Sequence, residues 1–306
     1  MKKLSLISLL IFFCGINLFA QENIAEQIEE QPKPKYWKCN GIISLNASAT
    51  NMWNWAAGGN NNATGVASAN ITLLYKKETI AWESNLDTEI GVSYLDTKFE
   101  PWRKSNDKIN FSTKFGWEFH KQWYLTVAGN FKSQYIKGYD YANDIKTPIS
   151  AWLSPSYTDI SVGIDWKPND IFSVYLSPVA GKISTCTKED FRERYGIDLN
   201  RTNLAELGLS AKAGVNYTKI ENLKIISTVG IFTPYTWGEK TEPRRFGNFD
   251  VDWDFAISYQ FLKVLNVTLN TSLKYYPGVL IADKEGNMAE RVQFKSIFGL
   301  GIGYSF

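Results

Sequence analysis

Three features of the sequence have residue types or spacings that chemistry could use: the lone histidine His120, the glycines Gly299, Gly301 and Gly303, and the carboxylates Asp250, Asp252 and Asp254. A dinucleotide-binding turn needs a helix after its glycines, but only three residues follow Gly303 in this sequence. Carboxylates spaced by two on a strand point the same way without converging as calcium ligands do. We therefore expect no catalytic, cofactor-binding or metal site here.

The composition excludes several classes of protein. The 306 residues are 44% hydrophobic and 15% aromatic, with 33 Lys and Arg against 31 Asp and Glu. A mean hydropathy of -0.24, with no long apolar stretch after residue 20, excludes a bundle of membrane-spanning helices. The balanced charge argues against nucleic acid as a partner, because nucleic-acid binding needs clustered Lys and Arg.

The amino terminus has the pattern of a secretory signal peptide over residues 1–20. Lys2 and Lys3 precede a mostly apolar stretch, and Ala20 offers a small residue for cleavage. An uncleaved membrane anchor is the alternative. Residues 21–36 are acidic and contain proline, which predicts a short periplasmic arm before the domain at 37–306.

Alternation of apolar and polar residues dominates the sequence from about residue 37 onward, as in strands with two different faces. Near the carboxyl end, for example, Phe298 and Leu300 alternate with Gly299 and Gly301. About twelve such segments are predicted, at 43–49, 67–75, 86–94, 109–119, 123–135, 160–166, 172–176, 207–217, 225–235, 250–261, 265–275 and 291–306. Most have close to the roughly 9 to 11 residues with which a tilted strand crosses a bilayer.

The connections between these segments alternate in length. Short turns are predicted at 76–78, 120–122, 167–170, 219–222 and 263–264, and long loops at 51–61, 96–106, 137–151, 183–201, 237–247 and 278–290. This pattern is typical of an outer-membrane barrel with both chain ends on the periplasmic, short-turn side. The predicted fold is all-β: an antiparallel up-and-down transmembrane β-barrel of about twelve strands, of the outer-membrane type.

A soluble sandwich or lipocalin-like barrel is the alternative with the same alternation. About twelve strands would leave an interior too wide for apolar side chains to fill. An outward apolar face in contact with lipid solves this problem and leaves the polar face to the lumen. The predicted lumen-lining residues carry both signs of charge: Glu83, Asp87, Glu89, Lys114, Glu118, Lys132, Asp165, Glu206, Lys212, Asp250, Asp252, Asp254, Lys274, Arg291 and Lys295.

Two cysteines, Cys39 and Cys186, remain once the leader with Cys14 is removed. The predicted topology puts Cys39 at the short-turn end of the first strand and Cys186 in a long loop. A barrel height of about 25 Å would then separate them, far beyond the roughly 7 Å that a disulfide can bridge. We expect no intramolecular disulfide.

Several motifs, in order along the chain, carry a resemblance to a known family. They are Asn54-Trp55-Ala56-Ala57-Gly58-Gly59-Asn60, Arg103-Lys104-Ser105-Asn106-Asp107-Lys108-Ile109, Trp123-Tyr124, Asn130-Phe131-Lys132-Ser133-Gln134, Gly138-Tyr139, Asn143-Asp144, Gly163-Ile164-Asp165-Trp166-Lys167-Pro168-Asn169-Asp170, Ser177-Pro178, Gly181-Lys182, Val292-Gln293-Phe294-Lys295 and the closing Gly301-Ile302-Gly303-Tyr304-Ser305-Phe306. The sequence resembles a family of Bacteroidota outer-membrane proteins, the domain of unknown function 3078. The resemblance implies a barrel in the cell envelope and brings no activity, ligand or catalytic residue.

A passive channel or small-solute transporter with a mixed-charge lumen is the leading functional hypothesis. The alternative is a closed structural barrel whose extracellular loops bind a partner or a polysaccharide. An outer-membrane hydrolase is disfavoured because His120 falls in a short periplasmic turn, whereas such hydrolases act at the opposite end. We expect no enzyme and no cofactor, with outer-membrane lipid and the barrel-insertion machinery, engaged through the strand ending at Phe306, as partners.

Overall fold

The computed structural model describes residues 36–50, 61–141, 144–237, 239, 242–261, 265–282 and 287–305. The expected signal peptide, all but the last residue of the arm, the Asn54–Asn60 motif and Phe306 lie outside this part of the chain. Among the described residues, no helix is long and apolar enough to cross a membrane.

Sixteen strands are present in the described residues: β1 (Trp37–Thr50), β2 (Asn62–Lys77), β3 (Ile80–Leu95), β4 (Trp102–His120), β5 (Trp123–Ser133), β6 (Gly138–Asp140), β7 (Thr147–Ser150), β8 (Ser156–Trp166), β9 (Phe172–Thr185), β10 (Asn203–Tyr217), β11 (Leu223–Pro234), β12 (Asp250–Phe261), β13 (Leu265–Tyr275), β14 (Leu280–Ala282), β15 (Met288–Glu290) and β16 (Gln293–Ser305). Twelve of them close into an antiparallel barrel, and the pairs β6–β7 and β14–β15 form hairpins in the long connections. The twelve-stranded barrel predicted from the sequence is confirmed.

The barrel strands follow one another around the wall, each paired with its neighbours along the chain. The wall closes where Ile42–Asn46 of β1 pairs with Gly301–Ser305 of β16. The amino-terminal end of β1 and the carboxyl-terminal end of β16 lie on the short-turn side of the barrel. The other side carries the long connections, which we call the long-loop end.

Two barrel strands extend into long loops predicted from the sequence. β4 begins at Trp102, inside the predicted loop 96–106, and β9 continues to Thr185 rather than ending near residue 176. Each missed stretch contains a register shift: Ile90 pairs with Asp107 while Val92 pairs with Lys104, and a similar shift interrupts the β8–β9 pairing. An extra residue at a bulge reverses the alternation, so the pattern no longer indicates a strand there.

The largest buried apolar cluster among the described residues lies outside the barrel wall. The segment 186–202, here called the cap, contains the short helix α1 (Glu189–Arg192) and a 3-10 turn. Cys186, Phe191 and Ile197 of the cap pack against Ala151 from the connection before β8. The cap therefore packs on a small core that it shares with the connection before β8, at the long-loop end.

Candidate functional site

Opposite walls of the lumen are joined by an ion pair. Lys132 lies on β5 and Asp252 on β12, with four strands between them along the shorter way round the barrel. The Lys132 ammonium nevertheless lies 3.6 Å from the Asp252 carboxylate. Lys274 on β13 approaches the same carboxylate at 4.0 Å, and the Tyr276 hydroxyl donates to it at 2.5 Å. Asp252 thus gathers groups from both sides of the barrel at one level of the lumen.

A second cluster, here called the mouth network, lies toward the long-loop end. Asp250 accepts hydrogen bonds from Lys182 on β9 and from Arg244 in the β11–β12 connection, both at 2.5 Å. Arg244 also donates two hydrogen bonds to the Glu206 carboxylate on β10, from Nε and Nη2. The network is buried, since the side chains of Lys182 and Asp250 are 8% and 3% exposed. Burial disfavours the Arg244 cation, but its two carboxylate partners outweigh burial and raise its pKa.

Aromatic rings surround the lysine of the mouth network. The Lys182 ammonium lies 5.0 Å from the centre of the Tyr276 ring and 5.4 Å from that of Tyr157. The two tyrosine rings stack at 5.9 Å. Cation–π contacts of this length add to the ion pair when water is excluded. The network is therefore held by charge and by ring contacts together.

The cap covers the mouth network. A cavity of about 20 Å³, room for about one water molecule, is lined by Lys182 and Arg244 below and by Tyr195 and Gly196 of the cap above. Gly196 ends the 3-10 turn at a φ of 69°, a left-handed conformation that favours glycine. A Cβ there would lie 3.0 Å from the Gly278 carbonyl oxygen. Glycine therefore lets the cap approach the β13–β14 connection closely.

Two titratable groups of the cap are shielded from water. The Tyr195 hydroxyl donates to the Ile149 carbonyl at 3.0 Å, and burial raises the pKa of Tyr195 to about 12. Burial also raises the pKa of the Cys186 thiol, whose side chain is fully enclosed. Both free cysteines are thiols in this structure, and the strand directions put Cys39 near the short-turn end and Cys186 at the long-loop end. The absence of a disulfide stays a prediction.

Two further charge clusters line the lumen. On β3 and β4, Lys108 lies 2.7 Å from Asp87 and 3.4 Å from Glu89. Nearer the short-turn end, Lys114 on β4 lies 3.3 Å from Asp165 on β8. In each cluster the partners come from different strands, so the pairs connect the wall laterally.

The other sequence-predicted lumen residues fall into three groups. Glu83 lies 3.7 Å from Lys167, Glu118 accepts the Gln122 N–H at 3.0 Å, and Asp254 accepts the Ser272 hydroxyl at 2.7 Å. Lys212 and Lys295 lie on inward positions of β10 and β16, Lys295 within electrostatic reach of Glu89. Arg291 is placed differently: it precedes β16, and its guanidinium donates to the carbonyls of Ile281 and Asn287 in the long connection.

Sequence reasoning missed the residues that complete these clusters. Lys108 has the same inward phase as Lys114 but lies just before the predicted segment 109–119, and Lys182 follows a bulge in β9, where the alternation is shifted. Arg244 lies in a long loop, and only the folded connection brings it back to Glu206 and Asp250. In the described ranges, no group of three or more His, Cys, Asp and Glu side chains is arranged to hold a metal ion.

Comparison with known proteins supports part of the family resemblance. The sequence model of the family "Protein of unknown function (DUF3078)" matches residues 47–139. Most of the early motifs fall in this region, whereas the Gly163–Asp170 motif lies beyond it. No curated protein matches the sequence.

Similar solved structures are remote in sequence and in geometry. The COG4313 outer membrane channel from Pseudomonas putida F1 is 8% identical, with a TM-score of 0.41 over 92% of this chain and 100% of that one. The translocator domain of the autotransporter NalP from Neisseria meningitidis is 10% identical, with a TM-score of 0.36 over 90% of each chain. The NanC porin is 8% identical, with a TM-score of 0.35 over 86% of this chain and 97% of that one.

Proposed function

We propose that the protein is a narrow outer-membrane channel that passes small polar solutes through a mixed-charge lumen. Its chain ends would lie in the periplasm and the cap would face outward. Lipid would surround the wall, and the barrel-insertion machinery would engage the last strand. The proposal assigns no catalytic activity to the chain, and a Bacteroidota origin follows only from the family resemblance.

Two aromatic belts on the outer wall support the membrane location. At the short-turn end, Trp123 and Trp166 stack at 5.9 Å, and at the long-loop end Tyr94 contacts Trp102 at 5.0 Å. Trp82 and Tyr94, on the same face of β3, mark the two levels. Their separation along the strand corresponds to about 30 Å of height at about 3.3 Å per residue and a tilt of about 40°. Such belts flank an apolar band of about 25 Å in outer-membrane barrels.

Solvent access to the mid-lumen charges is the observation that carries the channel proposal. The side chains of Lys108 and Asp87 face inward, yet they are 40% and 29% exposed. Because charged groups this accessible are hydrated, the middle of the barrel holds water. Both signs of charge occur on its wall, which favours weak selectivity over the strong selection expected from a ring of one sign.

A closed barrel that acts through its loops is the second candidate, and the buried mouth network favours it. Lys182, Arg244, Glu206 and Asp250 join three strands and one connection beneath the cap. In this candidate the mouth network and the cap stay closed, and no solute passes through the barrel. The two candidates therefore differ in whether the mouth network is a constriction or a permanent seal.

Conductance in planar bilayers tests the proposal. The wild-type protein should give small single-channel steps, and Arg244→Ser should give larger ones because the substitution removes the link between Glu206 and Asp250. Arg201→Ser is the matched control, since Arg201 is an exposed cap residue with the same charge. If folded wild-type protein and folded Arg244→Ser are both silent, the channel proposal fails and the closed barrel is supported.

A further inference from the structure

The stem of the cap, residues 186–188 and 202, is bonded to the barrel. The N–H of Cys186 donates to the Thr202 carbonyl at 2.8 Å, where the chain leaves β9 and returns to β10. Ser154, in the turn before β8, contacts the Thr187 hydroxyl at 2.8 Å and accepts a hydrogen bond from the Lys188 N–H at 3.0 Å. The stem is therefore fixed to the wall and to its neighbouring turn.

The rest of the cap, residues 189–201, is bonded mainly to itself, and we call it the lid. The Ile197 N–H donates to the Arg192 carbonyl at 2.9 Å, and the Arg192 guanidinium donates to the Leu199 carbonyl. In the part of the chain that the structure describes, no backbone hydrogen bond joins the lid to a residue outside the cap. The lid is therefore one internally braced unit.

Few contacts attach the lid to the structure beneath it. The Tyr195 hydroxyl donates to the Ile149 carbonyl at 3.0 Å, and Arg192 Nε donates to a carbonyl of the stem at 3.3 Å. Phe191 and Ile197 supply the apolar contacts. None of the seven charged side chains of the lid forms an ion pair with another described residue. Segments with few buried apolar contacts open locally while the rest of a protein stays folded.

The lid covers a network that is braced independently of it. Tyr195 of the lid lines the small cavity above Lys182 and Arg244. Those two cations are held by Asp250 and Glu206, which lie on the barrel strands β12 and β10. Departure of the lid would leave these ion pairs in place and admit water to them. Because water weakens the attraction between charges, the opened mouth network would be held less tightly.

Cys186 lies at the boundary between the stem and the lid. It belongs to the stem, and its side chain is 0% exposed and packs with Phe191 and Ile197 of the lid. Its thiol therefore meets a reagent in water only when the lid lifts or when the whole barrel unfolds. Ser177, inside β9, is equally enclosed but belongs to the wall. Cysteines at these two positions distinguish local opening from unfolding of the barrel.

We propose that residues 189–201 are a lid on the mouth of the barrel, which lifts about the stem as one unit while the wall stays folded. Lifting exposes the Cys186 thiol and hydrates Lys182 and Arg244 of the mouth network. In the proposed channel this motion opens the mouth to solutes, and that role rests on the proposed function. The motion itself is independent of it.

Thiol labelling tests the opening, with refolded protein in lipid nanodiscs, a charged maleimide in water and Cys39→Ser in every variant. Asn200→Cys, at an exposed lid position, is the reference for a free thiol, and Ser177→Cys is the reference for the wall, each with Cys186→Ala. Burial of the two apolar side chains of the lid predicts about thousandfold slower labelling of Cys186 than of Asn200→Cys, or roughly 4 kcal/mol. The wall cysteine should not react in the same period.

Variants of the lid test its attachment. Phe191→Ala should speed the labelling of Cys186 at least about tenfold, because it removes the larger apolar contact. Leu199→Ala is the matched control, since Leu199 is an apolar lid residue that is 49% exposed, and the labelling rate should stay within about twofold. Tyr195→Phe loses only the hydrogen bond to the barrel and should speed labelling about fivefold. In all three variants the Ser177→Cys probe should stay unreactive.

Three results would overturn the proposal: labelling of Cys186 as slow as that of the wall cysteine, labelling as fast as that of Asn200→Cys, or equal acceleration of Cys186 and the wall cysteine by Phe191→Ala. None of these measurements uses conductance. A protein that labels as expected but never conducts would refute the channel alone. A conducting protein whose Cys186 labels like the wall would refute the lid alone. If the protein conducts, Phe191→Ala should also raise the open probability, and an unchanged value would contradict the role of the lid in solute passage.

Discussion

Replacement of Asp250 by asparagine should destabilise the barrel strongly. Asp250 is the shared acceptor of Lys182 and Arg244 and is 3% exposed. Arg244 keeps Glu206 as its partner in the variant, whereas Lys182, which is 8% exposed, loses its carboxylate partner and is left with a neutral amide and its ring contacts with tyrosines. Removal of one partner of a buried ion pair typically lowers the free energy of unfolding by 3–5 kcal/mol. We expect about 3 kcal/mol, the lower end of that range, because the rings partly compensate.

Urea unfolding of the refolded protein, followed by loss of heat-modifiable mobility, measures this change. With a urea dependence of about 2 kcal/mol per molar, the midpoint should fall by roughly 1.5 M. Asp190→Asn is the control, because Asp190 is an exposed carboxylate of α1, and its removal should change stability by less than about 0.5 kcal/mol.

The double variant Lys182→Met/Asp250→Asn separates the ion pair from other effects of the substitution. If the cost of Asp250→Asn comes from an uncompensated ammonium, removal of that ammonium should restore at least half of the lost stability. An Asp250→Asn protein as stable as the wild type would refute the reasoning. So would a double variant that is destabilised by the sum of the two single changes.

Three further outcomes are expected. Lys132→Met should shift the reversal potential in a KCl gradient toward cation selectivity and Asp252→Asn toward anion selectivity; equal shifts in one direction would contradict the cross-lumen pair. The pKa of Tyr195 is about 12 when folded and about 10 when unfolded, so the unfolded chain loses its proton first and stability should fall by up to about 1.4 kcal/mol per pH unit between pH 10 and 12. Melting temperatures should show a shallower fall for Tyr195→Phe. Gly163→Ala should reduce the heat-modifiable fraction because its Cβ would overlap the Leu176 carbonyl oxygen, whereas Gly65→Ala, with open space around it, should fold normally.

The wall of the barrel could be predicted from the sequence because a two-residue period is a direct consequence of strand geometry. The alternation of Trp253 and Phe255 with Asp252 and Asp254 already indicates which side chains face outward. The prediction failed where Lys104 and Asp107 flank a bulge, since one extra residue changes the face without changing the composition.

The mouth network could be predicted only in part, for a different reason. Glu206 and Asp250 follow from alternation, but their partner Arg244 lies in a connection with no periodic pattern. Its guanidinium is held by Glu206, Asp250 and the Pro277 carbonyl of the β13–β14 connection, and it lines a small cavity with the cap. Contacts between loops are set by tertiary packing, and no local spacing in the sequence encodes them.

The barrel wall and the mouth network thus place different demands on the sequence. The wall needs only polar residues inside and apolar residues outside, so many sequences satisfy it, and lumen charges such as Lys108 and Asp87 stay hydrated. At the mouth, Arg244 and Tyr276 of the loops donate hydrogen bonds to particular carboxylates on β10 and β12. The contacts at the mouth therefore depend on a few loop residues at one end of the barrel, whereas the pattern of the wall does not.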